Sequence, residues 1–160
     1  MAKWHVLLTD YAWPDVSVER DLLAEADAEL RVALSTDEAT LARLAADADA
    51  IMTCWAPVTG DVIRHATRCR IIARLGIGLD NIDVDEASQR GIAVTNVPDY
   101  CVTEVAEHAL ALLLALARKV AFYHLQTKSG RYDLPSGLPM WRISGRRLGI
   151  VGFGQIGRAL

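Results

Sequence analysis

A glycine-rich segment near residue 155 has the spacing of a phosphate-binding turn. It reads GFGQIG, begins at the last residue of the apolar stretch Arg147–Gly152 (RLGIVG), and precedes residues that suit a helix. In such a turn the first glycine allows a tight bend, the second lets a pyrophosphate approach the backbone, and the third lets helix and strand pack closely. Free N–H groups at the helix N-terminus add attraction for an anion. The pattern predicts dinucleotide binding rather than an ordinary strand–turn–helix junction, with these residues at the site: Gly152, Gly154, Gln155, Ile156 and Gly157.

A second glycine turn, Gly76-Ile77-Gly78, lies in the stretch Arg74–Asn81 (RLGIGLDN). It comes at the carboxyl end of a predicted strand, which is where open α/β sheets bind their ligands. Two glycines leave backbone N–H groups accessible to a small anion such as a carboxylate. Asp80 or Asn81 is expected to cap the helix that follows. A capped turn without a ligand explains the same residues, and the pattern taken alone favours that interpretation over an anion site.

The histidines do not form a recognisable acid–base pair. The chain has four of them: His5, His65, His108 and His124. Glu107 precedes His108, but adjacent residues on a helix do not face each other. We therefore predict a core or interface role for His108, and no general acid–base pair among these residues.

Composition excludes several classes of protein. Seventeen Lys and Arg against twenty Asp and Glu give a net charge of −3, which does not favour nucleic-acid binding. Cys54, Cys69 and Cys101 are widely spaced without a C-x-x-C motif, which predicts reduced thiols and no metal site in a cytoplasmic protein. The N-terminus has no signal-peptide pattern. Ala109–Ala117, the longest apolar run, is about half the length needed to cross a bilayer and therefore predicts a buried core segment.

The elements that position these turns alternate between strands and helices. Amphipathic stretches, the first capped by Ser17, separate five apolar runs and predict an open parallel α/β sheet over about residues 1–98. The five predicted strands are His5–Asp10, Glu29–Leu34, Ala50–Trp55, Arg70–Gly76 and Ile92–Val97.

The pattern changes at Pro98, where the residues Val97–Tyr100 predict a turn or a hinge. A single helix is predicted over Thr103–Lys128, apolar around most of its circumference between Val105 and Val120. Such a helix must be buried on several sides by its own domain, a neighbour or a second subunit. A Gly- and Pro-containing loop and the strand Arg147–Gly152 follow. We expect residues 1–98 to form a stable fold. The backbone amides of the remaining residues should be poorly protected from hydrogen exchange.

Three blocks of the sequence resemble the D-isomer-specific 2-hydroxyacid dehydrogenases. They are ARLGIGLDNIDVDEASQRGIAVTNVP, VAEHALALLLALAR and LGIVGFGQIGRAL, and they occur in the family's order and spacing. The family includes phosphoglycerate dehydrogenases, hydroxypyruvate reductases and the C-terminal-binding-protein corepressors. The resemblance is strong over about residues 70–160 and weaker before them.

The resemblance implies a flavodoxin-like substrate-binding domain over residues 1–98 and the beginning of a Rossmann domain over 99–160. It implies hydride transfer between a D-2-hydroxyacid and its 2-keto acid, with NAD as cofactor and NADP not excluded. The substrate would lie at Gly76, Ile77 and Gly78, near Trp55, Ala56 and Pro57. Cys101 and Val105 would lie near the nicotinamide, and the Val105–Val120 helix would pack across a homodimer.

The family's catalytic Arg, Glu and His, and the acidic residue that binds the adenosine ribose, would all lie beyond Leu160. We therefore expect an N-terminal fragment that is itself inactive. Two alternatives are a corepressor-like dinucleotide sensor and a free-standing, flavodoxin-like binder of small anions.

Overall fold

The chain forms two compact units. The computed structural model describes residues 3–160; one unit ends at Pro98 and the second begins at Asp99.

The first unit is a five-stranded parallel sheet, as the sequence predicts. The strands are β1 (Trp4–Leu8), β2 (Ala28–Val32), β3 (Ala50–Thr53), β4 (Ile71–Arg74) and β5 (Ala93–Thr95). Their order in the sheet is β2-β1-β3-β4-β5, which is the flavodoxin-like order. The helices between them are α1 (Ser17–Glu25), α2 (Glu38–Ala45), α3 (Gly60–His65) and α4 (Val84–Gln89). Each strand ends two residues before the predicted run does, and the residues left over form loops at the carboxyl edge of the sheet.

Apolar side chains cover the sheet on both faces. Leu7 and Ile51 belong to a large cluster with residues of α2, α3 and α4, whereas Leu8 packs with Val16 and Leu30 on the opposite face. Successive residues of a strand therefore pack on opposite faces of the sheet. Because both faces are buried, the strands consist of continuous apolar runs. This core makes the carboxyl edge a rigid support for the loops.

The start of α1 corrects one prediction. Ser17 is the first residue of the helix, and its side chain makes no capping bond to a later N–H. Instead, the Asp15 carboxylate accepts hydrogen bonds from the Ser17 N–H at 2.8 Å and from its hydroxyl. The predicted Ser17 cap is wrong because Ser17 already lies inside the first turn, where its hydroxyl is turned back toward Asp15.

The second unit is mostly helical and differs from the prediction in two places. It contains α5 (Val102–Ala117), α6 (Val120–Lys128), a short 3₁₀ turn (Pro135–Gly137) and α7 (Gln155–Ala159). The single helix predicted over Thr103–Lys128 is wrong, because Lys119 adopts a left-handed conformation with φ 53° and ends the continuous helix. The strand predicted over Arg147–Gly152 is also wrong. Extended residues form a ladder only beside another strand, and the described residues of this unit contain none.

Helix α5 exposes most of its apolar surface. Ala106 is its one buried residue, and four leucines are between 44% and 77% exposed: Leu110, Leu112, Leu114 and Leu116. The burial predicted for this helix is therefore not supplied by residues 3–160. No helix in that range is both long enough and apolar enough to span a membrane.

Candidate functional site

The predicted substrate residues lie on two loops at the carboxyl edge of the first unit's sheet. The loop around Trp55 follows β3, and the glycine turn follows β4, the strand paired with β3. The two loops are joined directly, because the Val58 N–H donates to the Asn81 carbonyl at 2.8 Å and the Asn81 amide donates to the Ala56 carbonyl at 3.0 Å. The structure thus brings together residues that are about twenty positions apart in the sequence.

The glycine turn leaves N–H groups available to a ligand. The carbonyl of Gly76 accepts from the Val97 N–H at 3.0 Å, and that of Ile77 accepts from the Asn96 amide at 2.8 Å. Within residues 3–160, however, no hydrogen bond joins the N–H of Ile77 or Gly78 to another residue. Two adjacent free donors form a small anion-binding cradle.

The helix after this turn is capped differently from the prediction. Asp83 is the N-cap of α4 and accepts a hydrogen bond from the Glu86 N–H at 3.0 Å. Neither Asp80 nor Asn81 caps the helix. The Ile82 N–H bonds to the Leu79 carbonyl, and Ile82 bridges to Val58, which keeps the chain out of the helix until residue 83.

Arg74 is a candidate site residue that the sequence reasoning missed. It is the last residue of β4, and its Nε atom is buried without a hydrogen-bond partner. A Cβ atom added to Gly76 would lie 2.6 Å from Arg74 Nη1, so the absence of a side chain at Gly76 makes room for the guanidinium. A basic residue that ends an apolar strand two positions before a glycine turn is the signal that could have identified it.

Asp10 is a second missed residue. It follows β1, and its carboxylate accepts hydrogen bonds from the Cys54 N–H at 2.9 Å and the Trp55 N–H at 2.7 Å. Partial burial alone would raise its pKa. Hydrogen bonds from the backbone of Trp55, Cys54 and Ala56 and from the Thr9 hydroxyl outweigh burial and hold the pKa below its ordinary value.

Cys54 is inert at this edge. Burial raises the pKa of its thiol, and the Asp10 carboxylate raises it further, while the Arg74 guanidinium opposes both. The thiol therefore stays protonated at neutral pH and is a poor nucleophile.

In the second unit, the GFGQIG segment has the shape that the glycine spacing predicts. Gly152 has φ 92°, a conformation that side-chain-bearing residues rarely adopt. A Cβ added to Gly154 would meet no atom within 4 Å, whereas one on Gly157 would overlap the Gly152 carbonyl oxygen. The three glycines therefore supply a tight bend, an open approach and close packing of α7, in that order. Gln155 and Ile156 begin α7.

Cys101 and Val105, predicted to lie near the nicotinamide, are at the start of α5. Cys101 is the residue before the helix and makes no capping bond with its side chain. Helices α5 and α7 contact each other within the second unit.

Two histidines of the first unit lie away from the carboxyl edge. His5 is in β1, near its amino end, with Nδ1 3.9 Å from Glu29. His65 ends α3, and its Nδ1 lies 2.8 Å from the Asp61 carbonyl oxygen on the same helix. His108 and His124 are on α5 and α6 of the second unit.

Comparison with known proteins identifies the family. The model of the D-isomer specific 2-hydroxyacid dehydrogenase catalytic domain matches residues 6–145. The chain belongs to this family. A glyoxylate reductase of Pyrococcus furiosus is 43% identical over 122 residues, which are 71% of this chain and 36% of that protein. The chain thus spans about a third of that dehydrogenase-family relative.

Solved structures of dehydrogenases share the fold. A D-lactate dehydrogenase of Aquifex aeolicus, solved with NAD and lactic acid, superposes with a TM-score of 0.84 at 26% identity, covering 96% of this chain and 46% of that one. An NADPH-dependent glyoxylate/hydroxypyruvate reductase of Sinorhizobium meliloti, solved with NADP and malonate, gives 0.80 at 28% identity, covering 98% and 48%. These relatives are oxidoreductases, so the family comparison does not favour the corepressor alternative.

Proposed function

We propose that this chain is part of an oxidoreductase that interconverts a D-2-hydroxyacid and its 2-keto acid, with residues 1–98 binding the substrate. The observation that carries the proposal is the pair of unpartnered N–H groups at Ile77 and Gly78, beside Arg74, at the carboxyl edge of a parallel sheet. All substrates of this kind share a carboxylate next to the reacting carbon, and this edge offers donors for that carboxylate.

Residues of both loops would contact the substrate. The N–H groups of Ile77 and Gly78 would donate to the carboxylate, and the Arg74 guanidinium would supply the positive charge. Gly76 keeps that guanidinium close to the turn because a side chain there would displace it. Trp55, 64% exposed, would give the substrate's remaining atoms an apolar wall.

The second unit would hold a nicotinamide dinucleotide, NAD by preference with NADP not excluded. Its residues fit a pyrophosphate, because Gly152 makes the bend and the space beside Gly154 is open. Gly154, Gln155, Ile156 and Gly157 would lie along the phosphates, with Cys101 and Val105 near the nicotinamide. The cofactor, when bound, supplies the hydride acceptor or donor.

Further parts of the proposal concern assembly and location. The exposed leucines of α5 support a homodimer through the Val105–Val120 segment, since so large an apolar surface is normally covered. The free cysteines support a cytoplasmic location. The net charge of −3 does not favour nucleic acid as a partner, and we propose no membrane partner.

Calorimetric titration of the 160-residue chain with glyoxylate and with pyruvate tests the substrate site. We expect saturable binding of either acid and its loss in Arg74→Met, which keeps much of the side chain's length but removes its charge. The matched control is Arg43→Met, a basic residue on α2. Absence of binding heat with both acids would contradict the proposed function.

A further inference from the structure

Asp10 and the Trp55 loop are neighbours because β1 and β3 pair in parallel. Leu8 is in register with Met52, and the Thr9 N–H donates to the Met52 carbonyl at 2.9 Å. Asp10 and Cys54 each lie two residues after this pair, so they are at the same level at the carboxyl edge. A carboxylate 44 positions earlier in the sequence therefore faces the backbone that leads into Trp55.

Both oxygens of Asp10 are used by this loop. Oδ1 accepts from the Cys54 N–H at 2.9 Å, and Oδ2 accepts from the Trp55 N–H at 2.7 Å. The hydroxyl of Thr9, itself buried, donates to Oδ1 at 2.8 Å. Bonds to an ionised acceptor are roughly twice as strong as bonds between neutral groups, so this carboxylate fixes the loop firmly.

The other half of the loop has partners besides Asp10, to which the Ala56 backbone also bonds. The Ala56 carbonyl accepts from the Thr53 hydroxyl at 2.9 Å and from the Asn81 amide at 3.0 Å. The Val58 N–H is bonded to the Asn81 carbonyl. Loss of the Asp10 carboxylate would therefore release the Cys54–Trp55 half, whereas the bonds to the Ala56 carbonyl and from the Val58 N–H would remain.

The same bonds argue against a role for Asp10 in proton transfer. Its oxygens are occupied by N–H and O–H donors, and a carboxylate with a lowered pKa is a weak base at neutral pH. No ion pair involving Arg74 is found in residues 3–160, so its positive charge remains available to an anion.

We propose that Asp10 is a positioning residue of the 2-keto acid site, acting through the backbone of Cys54 and Trp55 to fix the Trp55 side chain at the carboxyl edge. The identity of the substrate in this inference rests on the proposed function, whereas the loop geometry does not. Asp10 touches no substrate atom in this scheme, so its effect is on the affinity of the site.

The test replaces Asp10 with asparagine. In Asp10→Asn one oxygen becomes an NH₂ group, which cannot accept from an N–H, so at least one of the two bonds is lost. We expect the amide resonances of Cys54 and Trp55 to shift in ¹⁵N–¹H spectra and the Trp55 amide to exchange about tenfold faster. The Val58 amide should exchange at the parent rate, and the dissociation constant for glyoxylate should rise about tenfold.

Two further variants complete the design. Asp21→Asn makes the same chemical change at an exposed position of α1 and should change neither measurement. Thr9→Val removes the hydroxyl that donates to Asp10 at 2.8 Å and lies 3.3 Å from the Met52 carbonyl oxygen. It leaves the Asp10 carboxylate in place, so the amide exchange rate and the glyoxylate affinity should change in the same direction but by less. It serves as the test if Asp10→Asn does not fold.

The outcomes separate the two proposals. Unchanged Cys54 and Trp55 amides in Asp10→Asn would overturn the positioning role. Shifted amides with an unchanged glyoxylate affinity would show that the loop does not contribute to substrate binding. That result would also overturn the positioning role of Asp10. Failure of the parent chain to bind glyoxylate would instead overturn the proposed function, and the amide exchange rates would still decide whether Asp10 holds the loop.

Discussion

At the scale of single residues, the glycine turn shows that space can matter as much as a functional group. Gly76 is buried and its φ is not in the left-handed region, so its backbone conformation suits other residues. What excludes a side chain is the guanidinium of Arg74, whose Nη1 would lie 2.6 Å from an added Cβ. The end of a flexible side chain can move, so a substitution should displace Arg74 rather than unfold the protein.

Gly76→Ala should therefore weaken glyoxylate binding by about tenfold, the cost of losing roughly one charge-assisted hydrogen bond. Calorimetry gives the dissociation constant, and thermal unfolding should show little change. Gly149→Ala is the control, because a Cβ at that position meets nothing within 4 Å. Equal affinities in both variants would contradict the prediction that the space at Gly76 keeps the Arg74 guanidinium in the site.

At the scale of elements, Asp49 joins the amino ends of three strands. Its carboxylate accepts from the His5 N–H at 2.9 Å and from Arg68 Nη2 at 2.9 and 3.1 Å. Its backbone carbonyl accepts from the Arg70 N–H at 2.9 Å. Burial would raise the pKa of Asp49, but the bonds from His5 and Arg68 and the charge of Arg68 outweigh it and lower the pKa.

Asp49→Asn should reduce the free energy of unfolding at pH 7 by about 2 kcal/mol, since it removes bonds to a charged acceptor. Because the folded-state pKa is lowered, the Asp49 contribution is complete above the unfolded value of about 3.9 and is lost as pH falls through the folded value. The difference between parent and variant should thus shrink below about pH 4.

Urea unfolding at pH 7 and pH 3 measures this difference. Asp47→Asn, which removes an exposed ion pair with Arg31, is the control and should cost less than about 1 kcal/mol. A difference between parent and Asp49→Asn that is the same at both pH values would contradict the assignment.

The exposed leucines of helix α5 predict that the chain self-associates through this helix. Leu112 and Leu116 are four residues apart and so lie on the same face, and both are exposed. The double substitution Leu112→Glu, Leu116→Glu should weaken self-association by at least about tenfold, because charges would be buried at the interface. Sedimentation equilibrium measures it, and Leu22→Glu on the exposed surface of α1 is the control. Self-association of equal strength in all three chains would rule out this face of α5.

At the scale of the whole molecule, the apolar core is unevenly distributed. Both hydrophobic clusters consist of residues of the first unit. Among the described residues after Pro98, Ala106 and Gly137 are the buried ones. Burial of apolar surface is the main source of stability, so the two units should differ in local stability.

Hydrogen exchange should therefore be at least about 100-fold slower at the central residues of β1, β3 and β4 than in α5 and α6. Mass spectrometry of the exchanging 160-residue chain resolves the segments, and a run in strong denaturant supplies the intrinsic rates as a control. Equal protection across both units would contradict the prediction.

Much of the fold could be predicted because it depends on local patterns. Apolar runs such as Ala50–Trp55 predict buried strands, and glycine spacing predicts both turns. The break at Lys119 could not be predicted, because lysine favours helices and its left-handed conformation has no local signal. The predicted strand at Arg147–Gly152 failed for a related reason, since an extended run needs a partner that the sequence pattern does not reveal.

The sequence by itself determined the parallel α/β class, the family and the positions of both glycine turns, because these depend on the order and spacing of residue types. The tertiary structure alone decided which distant groups meet at the carboxyl edge. Asp10 reaches Trp55, and Asn81 reaches Ala56, across 45 and 25 positions of sequence. Such contacts depend on strand order and register, which the packing of the whole sheet sets and which no local pattern encodes.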